Sequence, residues 1–293
     1  MPTIAAYVKK AEEQGVSLSR LILEEQSAEL EKTPEELFEK MKERLQVMKE
    51  SAKEGENPEM RSASGLTGGA SAKVMERVRQ GTSLCGPSFG KAVARALAVS
   101  ECNACMGRIV AAPTAGSCGI LPAALLTVME GRGCPEESAV MALFTAAGVG
   151  TVIAANATVS GAQGGCQAEV GSASAMAAAA VTEMAGGTPQ MCADACAIAL
   201  KNVLGLVCDP VAGLVEVPCV KRNAMGVVNA LAAAEMALAG VGSVIPADDV
   251  ILAMKRVGNT LPATLRETAE GGLADTPTGR KIAQRIYGQK SGE

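Results

Sequence analysis

The sequence predicts an all-α fold: a multi-helix domain with buried Ala/Gly-rich helices and glycine-rich loops that carry the candidate site. Three observations lead there. Long apolar stretches of helical composition alternate with short Gly/Ser/Pro loops, as in LPAALLTVMEG and EVGSASAMAAAAVTEMAG. Alternating β-branched runs, the signature of half-buried strands, are absent. Aromatic residues make up 2% of the 293 residues while hydrophobic residues make up 48% and glycines number 32. A core built from Ala, Val, Leu, Ile, Met and Gly favours helices whose backbones approach closely.

Residues 1–60 hold 14 acidic and 9 basic side chains, against 17 and 18 in the rest, and read as an N-terminal amphipathic helical arm. In TPEELFEKMKERLQVMKE, Thr33 can cap, Pro34 suits the first helical position and Glu36 completes a capping box. Leu37, Met41, Leu45 and Met48 then share one face. A second unit, residues 61–293, begins where the composition changes. Its loops are SASGLTGGAS, GTSLCGPSFG, APTAGSCG, SGAQGGCQ and CDPVAGLVEVPC, and the segments between them are helical in composition. Residues 138–168 carry no charge and could pass as a membrane span by hydropathy. The run lacks flanking aromatics and a Lys/Arg bias, so a buried central helix is expected and no membrane partner.

The net charge of -4 and the shortage of aromatic stacking platforms exclude an evident nucleic-acid surface. No basic segment followed by an apolar one opens the chain, so a cytoplasmic location is expected. In that setting ten cysteines point to metal or reactive thiols rather than disulfides. There is no histidine, so thiolate is the strongest ligand the chain has.

Cys102 and Cys105 form a CxxC without a second pair, and Cys192 and Cys196 lie one turn apart in an apolar helix; both pairs read as small buried hydrophobes. Cys85, Cys118 and Cys134 stand singly. Cys166, Cys208 and Cys219 differ, since each lies in a Gly- or Pro-containing loop with polar neighbours. Their separations of 42 and 11 match no short zinc pattern, and structural zinc would want a fourth ligand. Three thiolates alone suggest an iron–sulfur cluster with one iron free of protein sulfur, which can act as a Lewis acid. Spacing by itself leaves that choice open.

The stretches SGLTGG (64–69), NACMGRIVAAPTAGSCGILPA (103–123), GGCQAEVGSASAMAAAA (164–180) and CDPVAGLVEVPCVKRN (208–223) resemble the catalytic subunit of the iron–sulfur-dependent L-serine dehydratases. The resemblance runs from the N-terminal arm to about residue 288. It implies deamination of L-serine to pyruvate and ammonia, with Cys166, Cys208 and Cys219 holding a [4Fe–4S] cluster. On their own, the SGLTGG and PTAG loops read as turns and caps. With the resemblance, Ser64, Gly65, Thr67, Gly68 and Gly69 from the first and Thr114, Ala115 and Gly116 from the second become substrate-binding residues, the first loop more securely.

The catalytic candidates are Lys73, as the general base on condition that burial lowers its pKa, and Glu169, which can hydrogen-bond the cluster surroundings or the substrate ammonium. Lys221 and Arg222 can balance cluster charge, and Asn223 can cap the following helix. The resemblance also implies a β subunit as a separate chain, the source of any histidine in the site, and an oligomer. Ala70 stands where relatives are expected to carry an acid, and the tail YGQKSGE has no cysteine to fold back onto the open iron. Two other readings stand beside this one: a cluster-dependent L-cysteine desulfidase, and a non-catalytic helical module that binds a metal or cluster.

Overall fold

The computed structural model describes residues 1–288; residues 289–293, most of the YGQKSGE tail and the end of the expected 61–293 unit, lie outside them. The chain is all-α. Its helices are α1 (Ile4–Gln14), α2 (Leu18–Leu30), α3 (Pro34–Glu54), α4 (Ala70–Arg79), α5 (Gly86–Ala104), α6 (Ile120–Arg132) and α7 (Glu136–Asn156). There follow α8 (Gly161–Gly164), α9 (Ser172–Met184), α10 (Pro189–Lys201), α11 (Cys219–Leu238), α12 (Ala247–Thr260) and α13 (Pro277–Gly288). Among the described residues there is no strand, and a single parallel bridge joins Cys208 to Arg266.

Helix α9 lies at the centre, packed against α6, α7, α10 and α11. Every residue from Ser172 to Thr182 is buried. Alanine has the highest helix propensity and the smallest side chain after glycine, so the run AMAAAA both forms helix and admits neighbours close to its backbone. Glycines do the same from the other side. A Cβ at Gly226 of α11 would sit 2.4 Å from Ile120 Cδ1 and 3.1 Å from Ser174 Oγ. The larger apolar residues, among them Phe144, Leu125, Ile153 and Leu200, fill what remains. Each such side chain contributes about 1.5–3 kcal/mol on burial.

The first three helices are amphipathic and join this same core through Ile4, Val8, Leu18, Leu21, Ile22, Leu45 and Met48. The α3 capping box forms as the sequence predicts. Thr33 Oγ1 accepts from the Glu36 amide at 3.2 Å, and Glu36 Oε2 accepts from the Thr33 amide at 3.0 Å. Leu37, Leu45 and Met48 are buried, with Met41 partly so. Helix α7, long and apolar enough to cross a bilayer, instead buries Val140, Leu143, Phe144, Val149, Val152 and Ile153 against α2, α3 and α9. The glycine- and proline-rich connections preceding α4, α6, α9 and α11 meet at one side of this bundle.

Candidate active site

Each of the three singled-out thiols is held by a different local device. Cys166 opens a π-helical turn, Gln167–Gly171, that leads directly into α9. The turn is clamped by Gln167, wholly buried, whose amide donates to the carbonyls of Gly164 at 2.9 Å and Met254 at 3.0 Å and accepts from the Gly205 amide at 2.9 Å. Cys208 lies in extended backbone. Its amide donates to Leu265 O at 2.9 Å and its carbonyl accepts from the Glu267 amide at 2.8 Å. Cys219 is the first residue of α11, directly after Pro218, whose peptide bond to Val217 is cis.

The three sulfurs lie near enough to one another for their charges to interact. Burial pushes the Cys166 thiol up to about 11 and that of Cys219 up to about 12, and raises that of Cys208 as well. The proximity of the Cys166 sulfur adds to the rise at both other thiols, and that of Cys219 to the rise at Cys208. Arg222 opposes the trend at Cys166 and Cys219, its guanidinium standing beside them. It also donates to Val207 O at 2.8 Å and pairs with the buried Asp209 carboxylate at 2.8 Å. No group of three or more Cys, Asp or Glu side chains among the described residues closes around a point as a single metal ion requires.

Glu169 stands between the thiols and the second loop. Thr114 Oγ1 donates to its Oε1 at 2.8 Å, and the Cys208 thiol points at its Oε2 from 3.8 Å. Burial raises its pKa above the usual carboxylate range, and the Thr114 hydrogen bond offsets part of that rise. Two glycines keep the space around it clear. A Cβ at Gly161 would lie 2.4 Å from Glu169 Oε2 and 3.0 Å from Cys208 Sγ, and one at Gly116 3.2 Å from Glu169 Oε1.

The two expected substrate loops differ. In the first, the Ser64 hydroxyl donates to Glu216 Oε1 at 2.7 Å, and the Gly65 amide is turned onto Ser62 O at 3.0 Å. The amides of Gly68, Ala70 and Ser71 all donate to the Glu101 carboxylate at 3.1, 2.9 and 3.1 Å, with Thr67 Oγ1 at 3.5 Å from it. Gly69 supplies the left-handed residue before α4. Most of the donors this loop was expected to offer a substrate therefore bind a carboxylate of the chain itself. In the second loop, the carbonyls of Ala115 and Gly116 are taken by Asn103 and Asn223 at 3.2 and 2.7 Å. The amides of Ala115 and Gly116 have no acceptor among the described residues. Thr114, Ala115, Gly116, Glu169, Cys166, Cys208 and Cys219 thus form one group, while Ser64 is tied to Glu216, on the segment that leads to Cys219.

Lys73 is not part of it. The side chain is exposed on α4, so the burial on which its role as a base depended is missing. Asn223 also departs from expectation: α11 begins at Cys219, so Asn223 lies inside the helix and is buried there. Its amide donates to Gly116 O and Cys219 O, and its carbonyl oxygen accepts from the Gly119 amide at 2.9 Å, tying the second loop to the Cys219 turn. Glu101, Glu216 and Gln167 escaped the reading of the sequence. Their only signal was an ionisable or amide residue within otherwise apolar or loop segments.

Residues 13–274 match the serine dehydratase alpha chain family. The chain belongs to that family. Among similar members, a probable L-serine dehydratase alpha chain of Bacillus subtilis (strain 168) is 52% identical over 285 residues, spanning 97% of this chain and 95% of the relative. The L-serine dehydratase alpha chain of Peptoniphilus asaccharolyticus is 45% identical over 280 residues, 96% of each. L-serine dehydratase 1 of Escherichia coli (strain K12) is 46% identical over 181 residues, which are 61% of this chain and 40% of that longer protein. The family match includes all the cysteines and carboxylates of the site described above.

Proposed function

We propose that this serine dehydratase family alpha chain deaminates L-serine to pyruvate and ammonia, on a [4Fe–4S] cluster held by Cys166, Cys208 and Cys219. The observation that carries the reading is the proximity of these three thiols, from three separate connections, beside Glu169. The donor set fits a cluster: three soft ligands, a flanking guanidinium to offset their negative charge, and a Gly161 wall that tolerates no Cβ. The thiolates of a cluster sit on separate irons and so are spaced more widely than the ligands of one ion. When bound, such a cluster with one iron free of protein sulfur supplies a Lewis acid for the departing hydroxide.

The other tasks fall to the chain. The free amides of Ala115 and Gly116 are donors for the substrate carboxylate, with Thr114 fixing Glu169 at their side. Glu169 is the acid–base group: burial raises its pKa and so favours its protonated form, and Thr114 leaves Oε2 facing the Cys208 thiol. Loss of the α-proton and of hydroxide leaves aminoacrylate, which tautomerises and hydrolyses in water to pyruvate and ammonia. A separate β chain and an oligomeric assembly complete the proposal. The longer relatives, of which this chain matches 40%, are consistent with a further region carried elsewhere.

The test is anaerobic purification with iron, sulfide and zinc analysis, followed by pyruvate assay from L-serine and from L-cysteine. Iron with pyruvate from L-serine is the expected result. Cys166→Ala, Cys208→Ala and Cys219→Ala should each lose iron and activity together, whereas Cys192→Ala keeps both. Zinc without iron, or sulfide release from L-cysteine in place of serine turnover, overturns the reading.

A further inference from the structure

Cys166 and Cys208 are 42 residues apart in sequence, and one residue joins the connections that carry them. Gln167, next to Cys166, donates its backbone amide to Leu206 O at 2.9 Å, two residues before Cys208. Its side-chain oxygen accepts from the Gly205 amide, one residue earlier still. The two hydrogens of Nε2 go to carbonyls, Gly164 O on the Cys166 side and Met254 O on α12. Only one orientation of the amide meets two acceptors with its nitrogen and a donor with its oxygen. A wholly buried amide is costly unless it is paired in this way, and this one is paired to three different segments.

Those segments already touch at the backbone. Gly165 has a φ of 76°, and a Cβ there would lie 2.9 Å from Leu206 O. A Cβ at Gly258 of α12 would lie 2.9 Å from Gly164 Cα and 3.2 Å from Gln167 Nε2. Helix α12 matters because the chain beyond it returns to Cys208, whose amide donates to Leu265 O and whose carbonyl accepts from the Glu267 amide. Gln167 therefore holds both the residues that lead into Cys208 and the helix that precedes its pairing segment.

Arg222 does the corresponding work from the other side. Standing three residues after Cys219 on α11, it binds Val207 O and the Asp209 carboxylate, the neighbours of Cys208 on either side. The Cys166 turn thus grips residues 205 and 206, and the Cys219 helix grips 207 and 209. The one remaining residue of this short stretch is the cysteine.

We propose that Gln167 is a positioning residue of the three-thiol site: by fastening Gly205 and Leu206 to the Cys166 turn it sets the separation of Cys166 and Cys208, and with it the seat of the cluster. The inference rests on the cluster reading above and adds the residue that fixes the spacing of two ligands. Gln167 itself touches no reactant.

The experiment uses the full chain, purified anaerobically with the chains that accompany it. Gln167→Met keeps the length of the side chain and removes its donors and acceptor; Gln167→Asn keeps the amide one methylene short. Thr145→Val is the control for a general loss of stability, since it removes a hydrogen bond to Glu183 from an equally buried position on α7. Iron loss to a chelator should be about tenfold faster or more in Gln167→Met, with Gln167→Asn between and Thr145→Val at the parental rate. Activity per iron retained should stay parental.

Hydrogen exchange in the iron-free chain reads the fastening without the cluster. The amides of residues 167 and 205 should exchange about tenfold faster or more in Gln167→Met, while those of α9 from Ala177 to Val181 keep parental protection. A parental rate of iron loss, unchanged exchange at Gly205, or an iron-loaded Gln167→Met without activity each overturns the assignment. Where Gln167→Met does not fold, Gln167→Asn carries the same comparisons. A parent chain that binds no iron refutes the cluster reading instead, and exchange alone then decides whether Gln167 fastens the Cys208 connection to the Cys166 turn.

Discussion

The carboxylate of Glu101 lies 2.9 Å from the amide nitrogen of Ala70, thirty-one residues away in sequence. Together with the Gly68 and Ser71 amides, this contact closes the first glycine loop on an acid from α5 that is wholly buried. Loop and helix therefore fold as one unit. Removing the acid leaves several backbone donors unpaired, each of which costs about 1–3 kcal/mol when buried. Glu101→Ala should lower the stability of the chain by about 3 kcal/mol or more, and Glu101→Gln by less, since the amide oxygen can still accept. Urea unfolding measures this; a loss below about 1 kcal/mol would mean that water replaces the carboxylate.

Arg222 and Asp209 form an ion pair whose side chains are 15% and 4% exposed. Breaking a buried pair by removing one partner leaves the other charge uncompensated, at a cost of about 3–5 kcal/mol. Arg222→Met should therefore be strongly destabilising, and the double variant with Asp209→Asn should recover a good part of the loss. Equal stabilities for the single and double variants, by the same unfolding measurement, would show that the pair is not coupled.

Several thiols outside the candidate site set an alkaline limit. Burial pushes Cys102, Cys118 and Cys196 up to about 12 from the ordinary 9.0, because the thiolate cannot be solvated in the core. A folded-state pKa above the unfolded one favours the folded state fully below pH 9. That contribution is lost as pH rises through the window from 9 to 12. Denaturant midpoints should accordingly fall between pH 9 and pH 11 after little change between pH 7 and pH 8.5. Cys196→Ala, which removes one of these groups from a completely buried position, should flatten the decline; an identical slope would rule Cys196 out as a contributor.

The helices were legible because their information is local. The α3 capping box is written in Thr33, Pro34 and Glu36, and the Ala-rich segments between loops become α5, α6, α7, α9 and α11. The connections that carry Cys166, Cys208 and Cys219 were legible for a similar reason, since Gly and Pro mark them. The destination of the loop donors was not. Whether the amides of Gly68 and Ala70 meet a substrate or a carboxylate depends on Glu101, which neither the spacing nor the composition of SGLTGG reveals. The same applies to Glu216, which binds Ser62 and Ser64 from more than 150 residues away. The family resemblance favoured the first loop as the anion site, whereas local reading gave only turns and caps. Tertiary pairing shifts the free donors to the second.

Two of the three sulfurs project from the opening residues of segments that run straight into long core helices, α9 and α11, and the third from backbone pinned at both its amide and its carbonyl. None hangs from a slack connection. The distances among them are consequently a property of how α9 and α11 are seated. A methyl group added at Gly226, deep in the bundle and remote from any reactant, would push on Ile120 and Ser174 and swing the Cys219 end of its helix. Variants that damage the chemistry of this chain can therefore arise well away from the cleft, as faults of alignment with every reactive group still intact.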